Sequence, residues 1–166
     1  MNQDRIQREL MESKQRLIPT KIGYFQGQNR FLSNFWPAEV ELSDMLFPTV
    51  EHAYQASKTL ELSLQKQIQV LSTPGETKRL ARTSELRPNW DKIKLFIIKD
   101  LVYQKFSIHP NLRKLLLATG VRILEEGNTW HDQFWGICHC KRCGSQGRNE
   151  LGKILMWIRD QIKGEN

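Results

Sequence analysis

The chain has no uncharged apolar run approaching the roughly 20 residues that a membrane-spanning helix needs. Its opening MNQDRIQREL has no h-region of the kind a signal peptide requires. Both absences predict a soluble, intracellular (cytoplasmic) protein with no membrane partner. Internal repeats and low-complexity segments are missing as well, so a solenoid or a tail-like array is not expected. Cysteine is scarce: there are three, all inside ICHCKRCGSQG as Cys138, Cys140 and Cys143, and an odd number at such tight spacing argues against a disulfide framework. With His131 and His139 close by, three thiolates and one imidazole can make a tetrahedral zinc site. However, C-x-C-x-x-C differs from the usual knuckle spacing and no second ligand pair occurs elsewhere. Reduced thiols in an intracellular loop are therefore the commoner expectation.

What the chain does have is positive charge. Its 25 Lys and Arg against 18 Asp and Glu give a net charge of +7, with a pI near 9.5, a balance that favours polyanionic partners or phosphorylated substrates. The basic residues are dispersed (Lys78, Arg79, Arg82, Arg87, Lys92, Lys94, Lys141, Arg142, Arg148), and no arginine-rich tail or RNP-like block gathers them into a stripe. A solvated basic surface is at least as good a reading as a nucleic-acid groove. The 166 residues amount to one domain and can bury about 70% of the unfolded surface.

Polar residues concentrate where a core would want apolar ones. FLSNFWPAEVELSDMLFPTVEHAYQASK, residues 31–58, carries Asn34, Trp36, Glu51, His52, Gln55 and Lys58. If 51–58 is helical, Glu51, Gln55 and Lys58 fall at i, i+4 and i+7 and share an arc of roughly 60°. A solvated face with side-chain pairs worth about 0.2–0.5 kcal/mol each is the plain alternative. The neighbouring apolar stripe of Phe47, Val50, Ala53, Tyr54 and Ser57, preceded by Leu32, Phe35 and Trp36, favours a polar arc that borders a cleft.

The remaining patterning is mainly helical. Residues 3–17 predict a helix with a weak apolar face at Ile6, Leu10 and Leu17, appended as an extension over 1–20 to a domain over 21–163. Short strands are expected at 21–25 and 38–47, the latter turning at Ser43-Asp44, to give a small antiparallel sheet. Helices follow at 50–61 after Pro48, at 64–71 with Ser63 as cap, and at 74–83 with Thr73 as cap. Next come 90–107 with Asn89 as cap and Ile93, Phe96, Ile97, Leu101 and Phe106 at helical spacing, then 111–118 ended by Gly120. After a loop-like stretch 126–149, Leu151, Ile154, Leu155, Ile158 and Ile162 mark a final amphipathic helix. The fold class is α+β, mainly α-helical, in one compact domain.

The segments LSNF (32–35), PTVEHAYQASK (48–58), RPNW (87–90), DQFWG (132–136) and GRNELGKILMWIR (147–159) together resemble, in order, the signature blocks of the NADAR superfamily of YbiA-like N-glycosidases. The resemblance spans about residues 21–162. It implies a YbiA-like fold and hydrolysis of N-glycosidic bonds to ribose. The substrates would be riboflavin-pathway ribosylaminopyrimidine phosphates or ADP-ribose attached to guanine, with nucleic acid as a possible carrier and no cofactor. It carries Glu51 and Asp132 over as catalytic or ribose-binding. Ser33, Asn34, Phe35, His52, Gln55, Lys58, Trp90, Trp135, Gly136, Arg148 and Asn149 become substrate-binding candidates. The Cys-bearing loop departs from the shorter, glycine-rich form of its block, which reads more like WGDGG, and this puts substrate specificity in doubt.

The chemistry makes its own demands. Breaking a bond between ribose C1′ and nitrogen develops oxocarbenium character, so one carboxylate must stabilise that charge or activate water, and a second polar group must help the base leave. Glu51 is the first candidate for the carboxylate. Asp132, in a loop between Trp130 and Trp135, is the second, with a turn-stabilising Asp as its plain alternative. Trp90 either stacks on a base or packs in the core, and its helix start offers N–H groups to a phosphate. Asn34 and Asn149 either bind ribose or base, or hold local turns. Lys58 and Arg148 either contact phosphate or are surface charges. Charge and the altered loop together tilt the expectation to ADP-ribose on guanine. A non-catalytic ADP-ribose-binding module and a basic nucleic-acid-binding module are the alternatives from other classes.

Overall fold

The structure is a computed structural model, and it describes residues 20–165. The expected helix 3–17 lies outside the described residues. Among the described residues there are three two-stranded ladders and six α-helices. Strand β1 (Lys21–Ile22) leads to a 3₁₀ turn (Gly27–Leu32), then to the hairpin β2 (Val40–Leu42) and β3 (Met45–Phe47). Helices α1 (Val50–Ala56), α2 (Leu62–Gln69), α3 (Pro74–Ala81), α4 (Trp90–Ile108) and α5 (Pro110–Ala118) follow. Strands β4 (Ile123–Leu124), β5 (Gly127–Asn128) and β6 (Ile137–Cys138) then precede the closing helix α6 (Glu150–Gly164).

The hairpin is the expected antiparallel pair, turned by Ser43 and Asp44, both at positive φ, a geometry that Asp tolerates better than most residues. The other two ladders correct the expectation of a single antiparallel sheet. β1 is only two residues long, shorter than 21–25, and pairs in parallel with β4, while β5 pairs in parallel with β6 inside the stretch read as loop. Pairs that short have no alternation to read, and their partners lie far apart in sequence.

Helix α4 is the axis around which α1, α5, α6 and β2 pack. Its inward face is Ile98, Leu101, Val102, Lys105 and Phe106. Phe96, expected on that face, is 74% exposed, because it lies well over 100° around the helix from Leu101. Helix α6 buries Leu151, Ile154, Leu155, Ile158 and Ile162, the whole expected set.

Caps decide where the short helices stop. α1 ends at Ala56 rather than at 61, since Ser57 Oγ donates to the Tyr54 carbonyl, the Gln65 amide donates to the Thr59 carbonyl and the Arg87 N–H donates to the Lys58 carbonyl. Carbonyls satisfied that way need no further helical turn. Thr73 and Glu76 form a reciprocal capping box for α3, which stops two residues short of 83. Glu61, not Ser63, occupies the cap position of α2. Asn89 stands at the start of α4 as expected, but in a left-handed conformation with no side-chain capping bond.

Candidate active site

One cleft opens where the 33–35 turn, α1, α3 and the 126–135 segment converge. Its inner lobe, about 670 Å³ of empty space, is lined by Ser33, Asn34, Phe35, Glu51, Tyr54, Gln55, Lys58, Lys78, Glu126, Asp132 and Trp135 over a floor of Ile98 and Leu151. A wider outer lobe of about 1080 Å³ shares Ser33, Phe35, Lys78, Glu126 and Asp132 with it and adds Phe25, Arg79, Arg82 and Trp130.

Glu51 is 5% exposed. It stands in the first turn of α1 because Thr49 caps that helix, its Oγ1 accepting the His52 N–H. The Glu51 N–H donates to the Asn34 carbonyl, which fastens the 33–35 turn to the helix. Gln55 Nε2 donates to Glu51 Oε1 at 2.7 Å, and Lys78 Nζ lies 3.9 Å from the same oxygen. Burial raises the Glu51 carboxyl above its ordinary range, and Lys78, Gln55 and Lys58 only partly oppose that push. The Lys58 ammonium, also lining the cleft, is pulled down by its own burial.

Glu126 is the acid that sequence reasoning missed. Asn149, left-handed at the start of α6, works as a strand partner: its Nδ2 donates to the Leu124 carbonyl and its Oδ1 accepts the Glu126 N–H. Gly136 closes in from the other side, and any Cβ there would sit 2.0 Å from the Glu126 carbonyl oxygen. Fixed in this way, Glu126 faces Asp132 and Glu51, and burial together with those two carboxyls pushes it up to about 8. Lys78 and Lys105 pull in the opposite direction. The fully buried Lys105, brought down to about 7 by desolvation, donates to the Ser33 carbonyl at 2.8 Å.

Three buried oxygens with no hydrogen-bond partner sit together here: Asn34 Oδ1, Gln55 Oε1 and Glu126 Oε2. Buried acceptors left open are costly. Grouped in one cleft beside a carboxylate, they suit a ligand rich in hydroxyl donors.

The other candidates divide. Asp132 lines both lobes while its Oδ1 accepts the N–H groups of Phe134 and Trp135, so its turn-holding function and its place in the cleft coexist. Trp135 lines the inner lobe, its ring edge-on to Tyr54 at 5.5 Å. Trp90 packs against Tyr54 at 5.3 Å and is 8% exposed, in the core and outside the lining of either lobe. His52 turns away as well, with Nδ1 at Thr49 Oγ1 and Nε2 at the Leu71 carbonyl. Gly136 and Asn149 act behind the cleft, through Glu126. Arg148 pairs with Glu150 at 3.0 Å and lies over the Phe134 ring. The signal that could have found Glu126 is an acid pair, Glu125-Glu126, wedged between an apolar dipeptide and a glycine.

Paired buried carboxyls, open acceptors and a flanking basic lobe are the equipment of a hydrolase acting on a glycosidic bond. The NADAR domain pattern matches residues 24–163. The N-glycosidase Npun_R5314 of Nostoc punctiforme is 38% identical over 138 residues, covering 79% of this chain and 84% of that protein. The N-glycosidase YbiA of Escherichia coli is 36% identical over 134 residues, covering 78% and 79%. The riboflavin biosynthesis protein VVA0006 of Vibrio vulnificus is 34% identical over 80% of this chain but only 35% of its own length. The NMR structure of the E. coli protein YbiA superposes with a TM-score of 0.78 at 30% identity, covering 90% of this chain and 89% of that one. The chain belongs to the NADAR family, and it is an N-glycosidase. Among the described residues no helix is long and apolar enough to cross a membrane.

Proposed function

We propose that the chain removes ADP-ribose from guanine by hydrolysing the N-glycosidic bond between ribose C1′ and the base. The observation that carries this reading is the cleft's division into two parts. The inner lobe has open acceptors for ribose hydroxyls, and the outer lobe has Lys78, Arg79 and Arg82 together with the aromatic rings of Phe25, Phe35 and Trp130. Guanidinium forks suit a diphosphate, and an exposed indole suits a second base. A small pyrimidine riboside phosphate would leave most of the outer lobe unfilled.

Glu126, held protonated at neutral pH, gives its proton to the leaving nitrogen as the C1′–N electron pair departs with the base. Glu51 stabilises the developing oxocarbenium charge and takes a proton from the water that adds to C1′. Asp132 and Gln55 hold the ribose.

The naming of relatives as riboflavin biosynthesis proteins supports a second reading, hydrolysis of ribosylaminopyrimidine phosphates. Incubating the protein and its Glu51→Gln variant with ADP-ribosylated guanine DNA and with a ribosylaminouracil phosphate, followed by mass spectrometry, separates the two. Free ADP-ribose and restored guanine, lost in the variant, is the expected result. Cleavage of the riboside alone would replace the proposal with the second reading. Tight ADP-ribose binding by titration calorimetry with no turnover of either substrate would make the protein a reader.

A further inference from the structure

Away from the acids of the cleft, the loop that carries Asp132 gathers a second set of chemistry-bearing side chains. Nδ1 or Nε2 of His131 and the sulfurs of Cys138, Cys140 and Cys143 all lie within 4.8 Å of one another. His131 Nδ1 is 3.2 Å from Cys143 Sγ and 3.4 Å from Cys140 Sγ. With bonds of about 2.3 Å to sulfur and about 2.0–2.1 Å to nitrogen, a tetrahedral zinc site has edges of about 3.5 Å between nitrogen and sulfur and about 3.8 Å between sulfurs. The two nitrogen–sulfur distances are close to that edge, and the whole set lies within 4.8 Å. All three cysteines are free thiols.

The backbone is also prepared for thiolates. The Cys143 N–H donates to Cys140 Sγ at 3.3 Å, and the N–H groups of Cys143 and Gly144 both donate to the Cys140 carbonyl. Gly144 takes a positive φ of 61° to complete the turn, and His131 is itself left-handed at φ 69°. Cys-Lys-Arg-Cys-Gly is therefore folded as a metal knuckle, the one pair of ligands at the usual C-x-x-C spacing. Cys138 comes from β6, while His131 comes from the loop between β5 and β6. The sequence suggested three thiolates and one imidazole, with His131 and His139 both close by. It did not say which histidine would complete the set, because His139, next to two of the cysteines, turns instead to Glu125 Oε1 at 2.8 Å and Ser145 Oγ at 3.0 Å.

We propose that His131, Cys138, Cys140 and Cys143 bind one structural zinc ion. All four positions are filled by protein, as in closed structural sites, so the ion is a clamp and not a Lewis acid for the reaction. It ties the residue immediately before Asp132 to β6 and to the knuckle, and so fixes the loop that forms one wall of the cleft. The proposal does not depend on which N-riboside the cleft accepts.

Metal analysis of the full chain, purified in reductant without added metal and without a histidine tag, tests this. One zinc per chain is expected. Replacement by cobalt(II) should give the thiolate charge-transfer and intense visible bands of a tetrahedral sulfur-rich site. Cys140→Ser and Cys143→Ser should each lose the bound zinc, while His139→Ala should retain it. Because a variant can fail by unfolding, the wild-type protein is also melted before and after a strong chelator, and zinc add-back should restore the higher midpoint. Protein that holds no metal and takes up neither zinc nor cobalt under reducing conditions overturns the proposal. Full zinc retention in both serine variants, or stoichiometric iron in place of zinc, overturns it too.

Discussion

At the scale of single residues, the proposed division of work between Glu51 and Glu126 can be tested by replacing each carboxyl with an amide of the same shape. Glu51→Gln should lower turnover by about 10²–10⁴, the usual range for a positioned acid–base group, with circular dichroism unchanged. Glu126→Gln should cost a similar factor and alter the pH profile as well. With the proton bound at Glu126 up to about pH 8, wild-type activity should decline above that value, and the amide variant should lose that alkaline limb. Glu51 and Gln55 were legible beforehand because helical spacing puts them on one arc; Lys58 lines the cleft with them although it lies past the end of α1, in the turn that follows. Trp90 and His52 were not separable from site residues by sequence, since an indole or imidazole near a helix start looks the same whether it faces a ligand or Tyr54 and Leu71. Glu126 escaped because the acid pair at 125–126 does not say which of its members enters a cleft; that is set by the Asn149 side chain and the close approach of Gly136, contacts from distant parts of the chain.

At the scale of elements, short caps and close backbone contacts hold the cleft's walls. Thr73→Ala removes one half of the capping box on α3, the helix bearing Lys78, and should lower stability by about 1 kcal/mol, read as a shifted urea midpoint at constant slope. Gly136→Ala forces a methyl against the Glu126 carbonyl. That overpacking should cost about 1–3 kcal/mol and depress activity further than the loss of stability alone accounts for, since Glu126 is displaced. The long helices α4 and α6 could be read from apolar periodicity, and the Thr73 cap from its local motif. The two-residue parallel ladders could not, because what forms them is the docking of distant segments rather than any pattern within them.

At the scale of the whole molecule, charge is stored inside as well as outside. The folded Glu126 value, about 8, lies above its ordinary one of 4.5, so the folded chain keeps a proton that the unfolded chain releases. Its contribution is complete below about pH 4.5 and is lost as pH rises through about 8. Lys105, lowered to about 7 from 10.5, acts in the opposite sense, and its contribution grows between about pH 7 and 10.5. Melting temperatures across pH 5 to 8 should therefore fall less steeply in Glu126→Gln than in wild type. On the outside, replacing Arg79 and Arg82 by Ala should raise KM for an ADP-ribosylated substrate by about tenfold or more, since hydrogen bonds to charged groups are worth about 1.5–3 kcal/mol, and should leave a small riboside phosphate unaffected. The pairing of β1 with β4, sealed by a Lys21–Glu125 ion pair 104 positions apart, also bears on how the protein is made. A nascent chain cannot close that ladder until Ile123 and Leu124 have followed its first strand, and Glu126 stays unfixed until Asn149 has followed in turn. A chain stalled before that residue lacks the side chain that holds Glu126 in the cleft, so the site is completed only once Asn149 has been made.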